Sequence, residues 1–180
     1  MLRLFVSLAA VLAVNLCLAS EGDDQANSFA KIYASLCLQN LSNLEDLRQK
    51  LAPLPKLQTD KAALFLRGAP GDAWPVPDKH GTFVLALPSG KNLCAVYARR
   101  ADVDIANTLF QKLVANAPAP FTSRMVMNED KQTVANGVTH TVSYEWSIPN
   151  GARKMLFTLT TAAAETAQLQ VLGSAAIVSQ

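Results

Sequence analysis

The chain has 180 residues, with 16 basic and 14 acidic side chains and a formal net charge of +2 at pH 7. This near balance of charge argues against nucleic acid or an anionic membrane surface as the partner. The length suits a single domain with a substantial core. We predict one α+β domain over residues 20–180, preceded by a cleaved segment, residues 1–19.

The first 19 residues have the pattern of a secretory signal. One positive charge, Arg3, precedes an apolar run from Leu4 to Leu18, and small residues, Cys17 and Ala19, stand where a signal peptidase requires them. The run is shorter than the roughly 20 apolar residues that span a bilayer. We therefore expect cleavage near Ala19, a periplasmic protein, and no stable membrane anchor after cleavage.

Signal cleavage would leave two cysteines, Cys37 and Cys94. In an oxidising compartment, one disulfide is the expected state of such a pair. Closing the long loop between them would contribute about 4 kcal/mol by a loop-entropy estimate. Two separate buried thiols are the alternative.

The first part of the mature chain is predicted to be helical. Apolar residues recur there at the spacing of one helical face: Phe29, Ile32, Tyr33, Leu36 and Cys37. A capping box at Ser42 predicts a second helix that stops at Pro53. A shorter helix is predicted from Asp60 to Arg67. We expect these helices to cover a sheet, with Cys37 joining the first of them to a strand at Cys94.

Residues 68–81 contain three prolines and three glycines, which predicts an irregular loop. Trp74 in this loop has two interpretations. An indole on a loop stiffened by proline is a good anchor for a partner, but Trp74 can also fold back and cap the core. Asp72, Asp78 and His80 are further candidate partner-binding residues. The Asp78 and His80 pair is either an acid–base pair or an exposed turn.

Two strands, Thr82 to Leu87 and Asn92 to Arg99, are predicted to form a hairpin. Asp102 then caps a helix that runs to about Asn116. Three basic residues at the end of this hairpin form either a patch for an acidic partner or a solvated surface: Lys91, Arg99 and Arg100.

From Phe121 to Gln180 the pattern indicates an antiparallel meander. Asn136-Gly137 and Asn150-Gly151 are typical of two-residue type I′ turns, and alternate residues between them are apolar. A fourth strand is predicted at about Gln168 to Val178, where small residues at 173 and 175 would let a helix pack closely. The chain as a whole is thus predicted to be α+β, an antiparallel sheet made of a hairpin and a four-stranded meander with helices packed on one face.

The two turns set the register of the meander. Trp146 would lie opposite Met127 on one side and Met155 on the other. His140 would lie opposite two threonines, Thr133 and Thr161. We interpret His140 as a buried, neutral imidazole bonded to those threonines rather than as a catalytic base.

In the same register, Glu129 and Lys131 would fall on the apolar face. This predicts an edge strand that is protected by charge or bulged at that point. A partner could add a strand at this edge, so Glu129 and Lys131 are candidate partner-binding residues.

No signature of catalysis or metal binding occurs in the sequence. Neither of its two histidines, His80 and His140, has a second His or Cys at metal-ligand spacing. A nucleophile elbow, a Walker loop and a dinucleotide fingerprint are also missing. We predict a protein that is not an enzyme and that has no cofactor, no metal and no catalytic residues; an unrecognised hydrolase using either histidine is the alternative.

The residues around the two cysteines carry a resemblance. The helix with Cys37, the segments 71–74 (GDAW) and 81–85 (GTFVL), and the segment 94–97 (CAVY) resemble a family of small secreted bacterial proteins of undefined activity. Its best-known members carry Neisseria-type "(lipo)protein" labels. The match spans about Phe29 to Leu113. The chain departs from the lipoprotein members because Cys17 follows a leucine and is a poor site for lipid attachment.

In size, export and lack of catalytic residues, the chain is also similar to periplasmic immunity proteins. These neutralise secreted antibacterial effectors, particularly lipases and phospholipases delivered by type VI secretion. The likeness implies a non-catalytic protein that sterically blocks a secreted effector or another envelope protein. The alternative is a cell-envelope protein that binds a lipid or small ligand in a cavity between the helices and the Met and aromatic face.

Overall fold

The structure is a computed structural model that describes residues 20–179. The predicted signal, residues 1–19, lies outside the described residues, as does Gln180.

Within the described residues, a seven-stranded antiparallel sheet has the order β1-β2-β3-β7-β6-β5-β4, and helices pack against it. The predicted α+β fold class is confirmed. The elements in chain order are α1 (Glu21–Ile32), a π-helical continuation (Tyr33–Leu38), α2 (Leu44–Leu51), α3 (Thr59–Leu66), β1 (Gly71–Asp78), β2 (Gly81–Pro88), β3 (Leu93–Ala98), α4 (Val103–Val114), β4 (Thr122–Thr133), β5 (Gly137–Ser147), β6 (Arg153–Ala162) and β7 (Val171–Ser179).

Side-chain caps mark the start of α1, α2 and α4. The Asp102 carboxylate accepts a hydrogen bond from the Ile105 N–H at 2.8 Å, as predicted for the start of α4. In α2 the cap is Asn43, one residue after the predicted Ser42, and its side-chain oxygen accepts from the Asp46 N–H at 3.2 Å.

The main core lies between one sheet face and a layer made of α1, its π-helical continuation, α2 and α4. Phe29 and Tyr33 of α1 and its continuation cross β7 at Gly173, where a Cβ atom would lie only 2.7 Å from the Phe29 Cζ. The predicted use of a small residue at position 173 is therefore confirmed. The prediction that the helices all pack on one face is wrong for α3, which packs on the opposite face of the sheet, over β1 to β3.

A disulfide joins the helical layer to the sheet. Cys37 and Cys94 are bonded, their Cα atoms are 5.4 Å apart, and both are fully buried. The predicted disulfide is thus present, between the helix and β3.

The prediction of an irregular loop over residues 68–81 is wrong, because Gly71–Asp78 forms β1. This strand pairs with β2 alone, so it is an edge strand. The Ala73 carbonyl points away from β2 and accepts a hydrogen bond from the Leu57 N–H at 2.8 Å. Pro75 and Pro77 are two and four residues after Ala73, so their backbone groups also face away from β2. No strand lies on that side, so the missing N–H groups of the prolines cost no hydrogen bond in the sheet.

The predicted register of β5 against β6 is confirmed, since Trp146 pairs with Met155 and His140 pairs with Thr161. The turn itself differs from the type I′ prediction. The Ile148 carbonyl accepts from the Gly151 N–H at 2.9 Å, which centres the turn on Pro149 and Asn150.

The predicted register of β4 against β5 is wrong. Residues Val134 to Asn136 connect the paired Thr133 and Gly137, so the connection has three residues rather than two. The Asn136 side chain accepts hydrogen bonds from the backbone N–H groups of Gln168 and Leu169, at 3.0 and 3.3 Å. These tertiary contacts hold Asn136 outside the type I′ geometry that its sequence favours.

A bulge at Val126 shifts the register of β4 once more. The three-residue turn alone places His140 opposite Asp130 instead of Thr133. The turn and the bulge together place Trp146 opposite Ser123 instead of Met127. The prediction that β4 is an edge strand is confirmed, but its bulge lies before Glu129 rather than at it.

Replacing Gly173 with valine should push the α1 aromatic rings off the sheet, because valine favours strands but its side chain would overlap Phe29. We expect the free energy of unfolding, measured with urea, to fall by about 1–3 kcal/mol. Ser174→Val is the matched control, since residue 174 points to the opposite face. An equal loss in both variants would show that the close contact does not limit stability.

Candidate functional site

The six residues predicted to bind a partner do not form one site. Asp72, Trp74, Asp78 and His80 lie in β1 or the turn after it, whereas Glu129 and Lys131 lie in β4. These are the two edge strands, and five strands separate them. At the usual strand spacing the two groups are about 29 Å apart.

Trp74 is buried, so the expectation that it is an exposed anchor is wrong. Its side chain is 1% exposed, and its indole N–H donates to the Leu51 carbonyl at 3.1 Å. The Lys56 ammonium lies 5.5 Å from the ring centroid. Trp74 caps the main core, which is the alternative that the sequence left open.

Asp72 holds the helical layer to β1. Its carboxylate is 3.0 Å from the Lys56 ammonium and 3.9 Å from the Arg48 guanidinium. Arg48 also donates to the Leu87 carbonyl at 3.0 Å. Asp72 is therefore occupied by contacts within the chain.

Asp78 and His80 do not form an acid–base pair. The Asp78 carboxylate accepts from the backbone N–H of His80 at 2.8 Å, and this hydrogen bond lowers the pKa of Asp78. The His80 imidazole instead faces α1, with its Nδ1 3.4 Å from the Asp24 carboxylate. This arrangement is a turn fastened to α1.

Strand β4 is the most exposed element of the sheet. Of its twelve residues, only Ser123 and Thr133 are partly buried, and the others are exposed. Three consecutive apolar residues sit at its bulge: Met125, Val126 and Met127, which are 45, 39 and 41% exposed. We call these three residues the β4 apolar patch.

Charged residues follow the β4 apolar patch. The Asp130 carboxylate is 2.8 Å from Nδ1 of His140 on the neighbouring strand. The expected burial of His140 against threonines is therefore wrong, because the register shift placed an acid and solvent beside it. Glu129 and Lys131 form no ion pair within residues 20–179.

A second cluster of charges lies on the α3 side of the sheet. The Glu145 carboxylate is 3.2 Å from the Lys154 ammonium and 3.3 Å from the Arg124 guanidinium. Burial by itself would raise the pKa of Glu145, but hydrogen bonds from Lys154 and Arg124 outweigh it and lower the pKa. The triad thus places one ion pair between β4 and β5 and another between β5 and β6.

Hydroxyl groups between β5 and β6 bond to one another. Ser143 and Thr158 are 2.8 Å apart, and Thr141 and Thr160 are 3.1 Å apart. Within residues 20–179, no three His, Cys, Asp or Glu side chains lie close enough together to hold a metal ion. The chemistry that these strands offer is hydrogen bonding and apolar contact.

Further findings concern the location of the protein in the cell and its relation to known protein families. In the part of the chain that the structure describes, no helix combines the length and apolar character needed to cross a membrane. The disulfide is consistent with an oxidising place outside the cytoplasm. Compared with known protein families and with curated proteins, the chain matches none, so the resemblance drawn from its cysteine segments stays a prediction.

The exposure of the β4 apolar patch differs from the sequence-based expectation, which places Met127 opposite Trp146 on the apolar face of the meander. A signal was present, however. Three apolar residues in a row break the alternation of a half-buried strand, and an extra residue of this kind is what a bulge inserts. An edge position explains why the run stays exposed.

Stability should depend on pH through Glu145. Because its pKa is lowered in the folded state, its contribution is complete above the ordinary pKa and is lost as the pH falls through the folded value. We expect Glu145→Gln to lower the free energy of unfolding at pH 7 by about 1 kcal/mol or less, and to have a smaller effect as the pH falls below the ordinary pKa of glutamate. Urea unfolding at several pH values measures this.

Glu129→Gln is the control for that measurement, because Glu129 is exposed and has no ion-pair partner in the described residues. Its effect should be small at every pH. A Glu145→Gln effect that stays constant down to acid pH would contradict the assignment of the triad.

Proposed function

We propose that the protein is an exported, non-catalytic binding protein of the periplasm that docks on a partner protein through β4. We further propose that the partner is a secreted antibacterial effector, which the bound protein neutralises by steric blockade. The observation that supports this most is the exposed edge strand β4 with its apolar patch.

An edge strand offers a row of unpaired backbone groups to another chain. A partner strand that pairs with them gains main-chain hydrogen bonds, while alternate side chains give specificity. Twelve residues of β4 extend for about 40 Å. This length can carry a contact of standard size, which buries roughly 1,600 Å² in total.

The side chains of β4 divide the strand into two parts with different roles. The β4 apolar patch supplies the hydrophobic centre that a stable interface needs, and methionine adapts to irregular partner surfaces. Glu129 and Lys131 alternate in sign on one face and select a partner strand with the opposite alternation. The same charges and the bulge discourage pairing between copies of the protein.

Strand addition also fits steric blockade. The protein needs no catalytic group of its own to cover an active site, because a rigid strand placed over the cleft excludes substrate. Eleven of its twelve residues pair with β5, so the strand is held in place before binding. A fixed strand loses little conformational entropy on association.

The test is a calorimetric titration of residues 20–180 with the secreted protein encoded beside it, while the activity of that protein is followed. We expect saturable one-to-one binding with loss of the partner's activity. Met127→Asp should weaken binding about 30-fold or more, because it places a charge in the apolar centre of the interface. Its free energy of unfolding should stay unchanged.

Leu54→Asp is the matched control, because Leu54 is an equally exposed apolar residue outside the sheet. It should bind as the parent does. The proposal fails if no binding occurs at micromolar concentration. Docking through β4 fails if Met127→Asp binds normally or if Leu54→Asp is equally impaired.

A further inference from the structure

A groove runs along the sheet face that α3 partly covers. Three adjoining cavities of about 490, 310 and 180 Å³ form it. Tyr97 of β3 lines all three cavities, so we call them together the Tyr97 groove. This groove faces away from the main core, and it lies apart from the exposed edge of β4.

The largest of the three cavities is apolar. Its walls come from α3, β2 and the segment before β7: Leu64, Phe65, Val84 and Leu169. Leu64 lines this cavity and is 75% exposed. A cavity of this volume falls in the range of small-molecule sites.

The floor of the groove is rigid. The rings of Phe65 and Tyr97 meet edge to face with their centroids 5.1 Å apart. The Tyr97 hydroxyl donates to the Phe65 carbonyl at 2.6 Å, and burial raises the pKa of Tyr97 despite the nearby charge of Arg67. The hydrogen bond and the ring contact therefore join α3 to β3 at the floor of the groove.

The charges around the groove have one sign. Arg67 lines both smaller cavities, and Arg99 lines the largest. None of the residues that line the three cavities is acidic, and within residues 20–179 neither arginine forms an ion pair. The smaller cavities add hydroxyl groups, among them Thr160, beside Arg67.

Arg67 is held in a strained conformation. It ends α3 with φ 51° and ψ 41°, in the left-handed region where glycine is favoured at a helix end. A non-glycine residue in that region costs free energy, and such strain is concentrated at binding sites. The next residue, Gly68, also has a positive φ, so the chain has placed an arginine where a second glycine would fit better.

We infer that the Tyr97 groove binds a single-chain anionic amphiphile, namely a long-chain fatty-acid carboxylate. The carboxylate lies at Arg67 and Thr160, and the acyl chain fills the apolar cavity under Leu64 and Leu169. Charge complementarity identifies the head group, because the lining is basic and hydroxyl-rich without an acid. The apolar walls identify the tail. This inference does not depend on the proposed function of β4.

The probe is cis-parinaric acid, a long-chain carboxylate whose fluorescence rises in an apolar site, used below its micelle concentration with residues 20–180. We expect saturable one-to-one binding that palmitate displaces. Octanoate is too short to fill the cavity, and the neutral lipid palmitoylglycerol lacks the charge, so both should compete poorly. Equal competition by palmitoylglycerol would overturn the assignment of a carboxylate, and the absence of saturable binding would overturn the site.

Substitutions in and outside the groove test where cis-parinaric acid binds. Arg67→Gln should weaken binding about tenfold, the effect of losing one hydrogen bond to a charged group. The matched control is Arg100→Gln, which removes an exposed arginine outside the groove and should leave affinity unchanged. Leu64→Asp puts an acid at the mouth and should abolish binding. Equal losses in Arg67→Gln and Arg100→Gln, or normal binding by Leu64→Asp, would overturn the inference.

Arg67→Gly separates binding from stability. Glycine adopts the left-handed conformation without strain, so this variant should raise the melting temperature while it weakens parinarate binding as Arg67→Gln does. A variant that is more stable and binds normally would show that Arg67 does not hold the carboxylate.

Discussion

The contact of Phe29 and Tyr33 with Gly173 is the constraint on which the rest of the structure depends. It lies at the seam where β3 and β7 join the two halves of the sheet. Besides this contact, the Tyr33 hydroxyl donates to the Ser174 carbonyl at 2.8 Å, and the disulfide fastens the same helical segment to β3. One helix therefore holds both strands of the seam, and the remaining strands extend outwards from it to two free edges.

The two edge strands are protected against pairing with another strand in different ways. At β1, prolines stand on the outward side, and the Leu57 N–H bonds to the Ala73 carbonyl, so little of that edge is open to another strand. At β4 a bulge and charged side chains are the protection, and these leave the apolar run exposed. Proteins usually shield an edge strand of this length. The open edge is for this reason the surface to which we assign partner binding, while the groove on the α3 face is a separate site.

Local patterns predicted much of the fold but not the candidate site. Alternation of apolar residues predicted the meander, and the register of β5 against β6 agreed with the prediction although its turn has a different centre. The register of β4 did not, because Asn136 bonds to a segment more than thirty residues away, which no local turn preference contains. The segment with Trp74 and Pro75 was predicted to be a loop for the same reason. A proline-rich strand is possible only at the edge of a sheet, and the order of strands in the sheet, which no local pattern contains, decides which strand lies at the edge. The Tyr97 groove is formed by three segments that are distant in the sequence, so no local sequence pattern predicts it.

Hydrogen exchange of the backbone amides, compared between the free protein and its complex with the secreted partner, tests docking through β4 most directly. If β4 is the docking edge, exchange should slow in residues 122–133 on binding, because outward-facing N–H groups gain acceptors. Exchange in residues 71–78 of the other edge should be unchanged. Slowing confined to β1 or to α3, with β4 exchanging as in the free protein, would contradict docking through β4.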